Sequence, residues 1–124
     1  MKVMIPVSIG ELMDRVSILM IKKRNIKDPV KLKYVENELS ELEPISIPYR
    51  DNYFERLEKI NGNLWSVEDL LRKCEEGENF SDVFITLARS VYKLNDQRAE
   101  VKRKINKKYN SEIVEVKSYN TGKK

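Results

Sequence analysis

An arginine occupies an apolar position in the longest helical pattern of the chain, residues 81–106. At about 100° per residue, Arg98 falls within one apolar stripe, and Asn95 lies at the edge of that stripe. The stripe consists of Val83, Leu87, Val91, Leu94, Val101 and Ile105. Because an unpaired buried charge is costly, we expect Arg98 to pair with another helix, to extend its charged end to water, or to bind an anion.

A second set of polar residues borders the apolar stripe of the preceding helical pattern. Asn61, Trp65 and Glu68 recur there about one helical turn apart. If the two helices pack antiparallel, Glu68 can pair with Arg98, and an asparagine from each helix can complete a polar layer. The layer either fixes the helix register or forms a solvent-open pocket for a small polar or anionic ligand.

The pocket interpretation assigns hypothetical ligand-binding roles to both helices, with Trp65 and Tyr92 as the roof. A second flank of the last helix, with Arg89, Asp96 and Arg103, adds further polar groups. The candidate ligand-binding residues are therefore Asn61, Trp65, Glu68, Arg89, Tyr92, Asn95, Asp96, Arg98 and Arg103. The pattern assigns no catalytic residue.

The missing residue types exclude several kinds of catalytic and metal site. The chain has no histidine and one cysteine, Cys74. Histidine-activated nucleophiles, histidine metal ligands, internal disulfides and thiolate clusters are therefore excluded. The sequence also lacks phosphate-binding glycine loops and EF-hand spacing. We predict no metal and no cofactor, and the composition favours a non-enzymatic role without deciding the question.

Positive charge is concentrated towards the C-terminus. The net charge is +4, and residues 93–124 hold ten Lys or Arg against four Asp or Glu. A basic face can bind nucleic acid, but aromatic residues for stacking on bases are missing, with only Tyr109 nearby. A solvated helix face is the favoured interpretation, and nucleic acid is a less favoured partner.

Hydropathy argues against a membrane partner. The longest apolar run, residues 18–21, is far shorter than the roughly 20 residues of a spanning helix. The N-terminal residues MKVMIPV contain too short an apolar stretch for a secretory signal. We therefore expect no membrane association and a cytoplasmic location.

Two amphipathic helices are predicted in the first third of the chain. The first follows a capping box formed by Ser8 and Glu11. The second begins at Asp28 and Pro29 and ends at Pro44, after which an extended connector is expected.

Two longer helices follow. The third begins between residues 49 and 53 and reaches about residue 74, with a kink or break considered at residues 62–66. The fourth spans residues 81–106. The predicted fold is mostly α, a four-helix antiparallel domain.

The two ends of the chain have β-type patterns. Residues 2–7 and 112–117 are predicted as a small two-stranded β-ribbon on the helical body. Residues 1–119 then form a single helical domain, and residues 120–124 a flexible tail.

The first helix is apolar on two sides, because Ile18 and Ile21 lie opposite its main stripe. Such a helix usually has two neighbours, either within the chain or across a dimer. We therefore predict a homodimer, or another protein, as the partner.

Three segments are similar to those of a known family: residues 5–12 (IPVSIGEL), 87–99 (LARSVYKLNDQRA) and 113–119 (IVEVKSY). Together they resemble a family of short bacterial and phage proteins known only as a domain of unknown function. The resemblance spans nearly the whole chain and implies no catalytic residue.

A looser similarity is to the all-helical chorismate mutases, which bind a dicarboxylate between basic residues of a dimer. Asp14, Arg15, Lys22, Arg24 and the helix of residues 84–97 have a similar outline, but the first helix is shorter here. The primary hypothesis is a non-enzymatic binding or assembly module that works through the polar faces of the first and fourth helices. The alternative is a small ligand-binding protein or enzyme for an anionic metabolite.

Overall fold

Four helices account for most of the residues that the structure describes. A computed structural model of the protein describes residues 1–118. Residues 119–124, which include Tyr119 of the last motif and the predicted tail, lie outside the described part. The helices are α1 (Ile9–Asn25), α2 (Pro29–Ser46), α3 (Asn52–Glu76) and α4 (Asp82–Lys108), with a short 3₁₀ helix at Ile47–Tyr49. The mostly helical, four-helix prediction is confirmed.

The helices form two hairpins with short connections. In the second hairpin, Lys108 contacts Asp51, and Arg98 contacts Asn61, so α3 and α4 run antiparallel. In the first hairpin, Arg15 of α1 pairs with Glu38 of α2 at 3.5 Å. α1 also packs against both α3 and α4, which joins the two hairpins.

The predicted β-ribbon is absent from residues 1–118, which contain no strand. The two segments make other contacts instead. The Ser111 hydroxyl accepts a hydrogen bond from the Ile9 N–H at 3.1 Å, and Glu115 pairs with Lys102 at 2.8 Å. The C-terminal segment is therefore held by helices α1 and α4, and Pro6 removes one donor from the N-terminal segment.

The start of α1 is capped from two parts of the chain. Ser8 is the N-cap, and its hydroxyl accepts from the Glu11 N–H at 3.0 Å, which is one half of the predicted capping box, while the Glu11 carboxylate binds Lys102 instead. The Gly10 N–H donates to the Asn106 side-chain oxygen at 2.6 Å. The first N–H groups of a helix have no partner within it, so both bonds satisfy such a group, and the bond to Asn106 also joins the start of α1 to the end of α4.

Pro44 does not end α2, contrary to the sequence prediction. It lies in the last turn, where a proline removes only one late backbone hydrogen bond, and the helix continues to Ser46. The fully buried Ser46 hydroxyl donates to the Glu43 carbonyl at 2.7 Å and accepts from Arg50. Ile47 is helical despite preceding a proline, so the expected extended connector is a 3₁₀ turn.

α3 is continuous from Asn52 to Glu76, so the break considered at residues 62–66 is absent.

The hydrophobic core occupies only one part of the molecule. Its buried members are Met13, Val16, Leu19, Val35, Leu39, Phe54, Leu57, Ile60, Val101 and Ile105. From residue 62 to residue 98, only Cys74 is buried. The outer hairpin, defined as residues 62–98, packs Leu64 and Leu94 against this core, and the rest of it extends beyond the core.

Candidate functional site

A buried polar cluster lies where α1, α3 and α4 meet. The Asn61 amide donates to the Asp14 carboxylate at 2.8 Å and to the Ser17 hydroxyl at 2.7 Å. Ser17 in turn donates to the backbone carbonyl of Asp14 at 2.7 Å. All three residues are at most 5% exposed. These mutual hydrogen bonds satisfy groups that would be costly to bury alone.

Two cations of α4 border this cluster. The Arg98 guanidinium donates to the Asn61 oxygen at 3.3 Å. One turn further on, the buried Lys102 ammonium contacts Glu11 at 2.9 Å, Glu115 at 2.8 Å and Asp14 at 3.8 Å. Lys102 thus joins α1, α4 and the C-terminal segment.

Charge pairing around Lys102 outweighs its burial. Burial acts to lower the pKa of Lys102, but hydrogen bonds to Glu115 and Glu11 and the charge of Asp14 raise it above its ordinary 10.5. The hydrogen bond from Lys102 lowers the pKa of Glu115 below 4.5. Both groups are therefore charged near neutral pH.

The predicted pair of Glu68 and Arg98 is not formed in the described chain. Glu68 instead contacts Arg72 of its own helix at 4.0 Å, and Arg98 binds Asn61. The prediction took only α3 and α4 into account. In the structure, α1 supplies the acid, Asp14, to which the Asn61 amide donates. The polar layer therefore exists with a different acidic member, Asp14.

Glu68 and Arg98 nevertheless line the same groove, which lies between α1, α3 and α4 and has a volume of about 570 Å³. Its charged lining consists of Lys22, Glu68, Asp69, Arg72 and Arg98. Its other lining residues are Ile18, Ile21, Asn61, Leu64 and Trp65. Four of the candidate ligand-binding residues, namely Asn61, Trp65, Glu68 and Arg98, are brought together here.

The other five candidate residues lie elsewhere. Tyr92 is 55% exposed and does not roof the groove, and neither Arg89 nor Asn95 lines it. Asp96 lines a separate cavity of about 460 Å³ between α3 and α4. Arg103 pairs with Glu100. The helical pattern placed these residues on one helix, but it could not show which neighbouring helix each residue faces.

Sequence reasoning missed the contribution of α1 to the site. Asp14, Ser17 and Lys22 all come from α1, and Arg72 extends the groove along α3. The sequence did contain a signal for this contribution. Ile18 and Ile21 make α1 apolar on a second side, which predicts a second neighbouring helix.

A family model described as "Family of unknown function (DUF6165)" matches residues 1–124. The chain belongs to this family. The resemblance to a family of unknown function is thereby confirmed, while the three family segments and the bacterial or phage origin stay predictions. No curated protein and no solved structure matches this DUF6165 chain.

The outer hairpin of this DUF6165 chain exposes large apolar side chains. Ile85 is 52% exposed and Tyr92 is 55% exposed. With the exposed Ala88 they are spaced i, i+3 and i+7, so they share one side of α4, named here the hairpin face. Further exposed apolar residues of the outer hairpin are Leu70, Phe80 and Val83.

Neither a metal site nor a membrane span is evident in the described DUF6165 chain. Among residues 1–118, no group of three or more Cys, Asp or Glu side chains is placed to hold a metal ion. No helix there combines the length and the apolar character that a membrane crossing requires.

Proposed function

We propose that the protein is a non-enzymatic assembly module that pairs with a second copy of itself through the outer hairpin. The observation that carries the proposal is the distribution of the core. The cluster of ten core residues lies in the inner half of the molecule, whereas Cys74 is the only buried residue between residues 62 and 98. Amphipathic helices gain most of their stability by packing an apolar face, and a lone pair of helices packs little of it.

The outer hairpin has the dimensions of half a helical bundle. Residues 62–76 of α3 extend for about 22 Å at 1.5 Å per residue. Pairing two such hairpins makes a four-helix bundle, in which the faces exposed on each copy become the shared core. The hairpin face formed by Ile85, Ala88 and Tyr92 supplies the apolar contact, since more than half of each of its two large side chains is exposed.

The charges of the hairpin favour a second copy as the partner. Its outer end is acidic, with exposed Glu76, Glu78 and Asp82, and its middle carries exposed Arg89 and Lys93. In a two-fold contact, a residue i of one copy that meets a residue j of the other copy is matched by a second contact in which j meets i. An antiparallel overlap of about 16 Å along α4 brings Asp82 close to the partner subunit's Lys93, so opposite charges meet twice.

The mass of the protein in solution tests this proposal. The chain has a mass of 14.6 kDa, so we expect sedimentation equilibrium to give twice that value. Tyr92→Glu and Ile85→Glu place a charge in the apolar contact and should each shift the protein towards the monomer. Tyr34→Glu is the matched control, because Tyr34 is a 74% exposed tyrosine on α2, away from the outer hairpin.

Two results would overturn the proposal. One is a wild-type mass of a monomer at about 100 μM, a concentration that populates a dimer of micromolar Kd. The other is a dimer that persists in Tyr92→Glu but dissociates in Ile5→Glu. Ile5 is 66% exposed in the N-terminal segment, so that pattern would place the contact there.

A further inference from the structure

The groove between α1, α3 and α4 has the chemistry of a ligand site that is separate from the hairpin face. We propose that it binds a small organic anion, with a carboxylate or phosphate head group and a flat apolar body. This inference goes beyond the assembly role and does not depend on it.

Cations from three helices surround the groove. Lys22 comes from α1, Arg72 from α3 and Arg98 from α4, against the acids Glu68 and Asp69 on α3 alone. The contact of Arg72 with Glu68 is long, at 4.0 Å, and both side chains are more than half exposed. Such an ion pair contributes little, so an incoming anion displaces it at small cost.

Arg98 is held in position before any ligand binds. Its Nη1 donates to the Asn61 oxygen at 3.3 Å, and Asn61 is fixed by its own bonds to buried Asp14 and Ser17. A guanidinium has five N–H donors in a planar fork, and the hydrogen bond to Asn61 accounts for one of them. Carboxylates and phosphates accept two parallel hydrogen bonds from such a fork, which neutral ligands match less well.

The rest of the lining suits an apolar body. Ile18, Ile21 and Leu64 provide aliphatic surface, and Trp65 offers an aromatic one. A volume of about 570 Å³ lies within the range typical of small-molecule sites. The combination of apolar walls with a fixed arginine selects an amphipathic anion over inorganic phosphate, which cannot use the apolar lining.

Trp65 provides a direct signal, because it is the only tryptophan of the chain. Its fluorescence is followed while phenyl phosphate, benzoate, inorganic phosphate or benzyl alcohol is added. We expect saturable binding of phenyl phosphate or benzoate, and the tighter of the two identifies the preferred head group. Inorganic phosphate and the neutral alcohol should bind at least about tenfold more weakly, since each lacks one of the two features.

Paired arginine variants locate the binding. Arg98→Met should weaken the affinity about tenfold through loss of the charged donors. Arg72→Met should also weaken it, and its side chain is 78% exposed, so this variant keeps the fold. Arg89→Met is the matched control, because Arg89 is exposed on α4 and does not line the groove.

Three results would overturn the inference. They are the lack of a saturable signal below about 10 mM for both organic anions, equal binding of benzyl alcohol, and equal losses in Arg89→Met and Arg98→Met. Mass measurements on the same samples report the assembly role separately, so the failure of one proposal is distinguishable from the failure of the other.

Discussion

At the scale of single residues, Gly10 shows how closely α1 and α4 approach. A Cβ added there would lie 2.7 Å from the Lys102 carbonyl oxygen and 2.9 Å from the Asn106 side-chain oxygen. The first of these atoms belongs to the backbone and cannot move without shifting α4. Glycine is therefore required at this crossing by space, and the Gly10 N–H bond to Asn106 depends on the same proximity.

We expect Gly10→Ala to lower the free energy of unfolding by about 1–3 kcal/mol, the usual cost of forcing an extra methyl group into a packed contact. Urea denaturation measures this change. Gly62→Ala is the matched control, because a Cβ at Gly62 in α3 meets nothing within 4 Å. That variant should be stabilised by about 0.5–1 kcal/mol, since alanine favours a helix. Equal effects of the two substitutions would contradict the close crossing.

Asn61 is the residue on which the buried polar cluster depends. Asn61→Leu leaves the Asp14 and Ser17 side chains without their amide donor and Arg98 without its acceptor. We expect a loss of about 2–3 kcal/mol in the free energy of unfolding, because a buried group without a partner keeps its desolvation cost. Urea denaturation is again the measurement.

The control for Asn61→Leu is Asn63→Leu, which changes an exposed asparagine of the same helix. It should alter the free energy of unfolding by no more than about 0.5 kcal/mol. Similar losses in the two variants would show that the cluster does not hold the helices together.

The sequence predicted which polar residues of α3 and α4 are unusual, but it did not predict all of their partners. Asn61 and Arg98 were singled out, and they contact each other. Glu68 was the expected acid because helical spacing shows which residues share a face of one helix. It does not show which residues of two helices meet unless their register is known. Asp14 could not be chosen in its place, since that choice requires the angle at which α1 crosses α3.

At the scale of elements, the C-terminal segment is bound to the helices by a small number of polar contacts. The Ser111 hydroxyl accepts from the Ile9 N–H and donates to the Ile113 carbonyl at 2.7 Å. Glu115 adds the ion pair with the buried Lys102. The apolar side chains of this segment stay exposed, among them Val116 at 86%. Its attachment therefore depends on charge and should respond to pH.

The sign of that response follows from the lowered pKa of Glu115. A carboxyl whose pKa is lowered by folding contributes stability above its ordinary pKa of 4.5 and loses it as the pH falls through the folded pKa. We expect Glu115→Gln to melt at a lower temperature than wild type at pH 7, and the two melting temperatures to converge as the pH falls below the folded pKa of Glu115. Since the Glu115 side chain is 47% exposed, the difference should stay below about 1 kcal/mol.

Comparison of the two proteins at each pH isolates this ion pair. Asp51 also has a lowered pKa, because hydrogen bonds from Lys108, Tyr109 and a backbone N–H outweigh its burial. Asp51 therefore loses its contribution to stability in acid, and this loss is the same in wild type and in Glu115→Gln. A melting difference between wild type and Glu115→Gln that is unchanged from pH 7 to about pH 3 would contradict the assigned role.

Helix starts were more predictable than helix ends. Ser8 and Asp28 precede helices and cap them through their side-chain oxygens, as predicted, whereas Ser81 precedes α4 without a side-chain capping bond. Pro44 was wrong as an end because a proline in the last turn removes only one late backbone hydrogen bond, and the buried Ser46 hydroxyl bonds the Glu43 carbonyl within that turn. The β-ribbon was wrong among the described residues because a β-type pattern does not specify what the segment binds, and here Ser111 and Glu115 bind helices.

At the scale of the whole molecule, the core does not extend along the full length of the two longer helices. α3 and α4 comprise 25 and 27 residues, whereas α1 and α2 comprise 17 and 18. The shorter hairpin covers the inner half of the longer one, and the outer half keeps its apolar residues partly or fully exposed, apart from the buried Cys74. A second copy completes this arrangement without any further element, since its own outer hairpin has the same exposed face.

The proposed antiparallel contact has a definite centre. Ile85 and Tyr92 lie on either side of Ala88 on the same side of α4, so a two-fold axis between them passes close to Ala88. A cysteine at this position is then near its counterpart in the other copy, whereas a cysteine on α2 is not. The native Cys74 is replaced by alanine so that it cannot react.

Oxidative cross-linking of Ala88→Cys in the Cys74→Ala background is the most direct test of the assembly proposal. We predict a disulfide-linked species of twice 14.6 kDa on a non-reducing gel, and no such species for Ser40→Cys, an exposed position on α2. Equal cross-linking of the two variants, or none in Ala88→Cys, would contradict pairing through the outer hairpin.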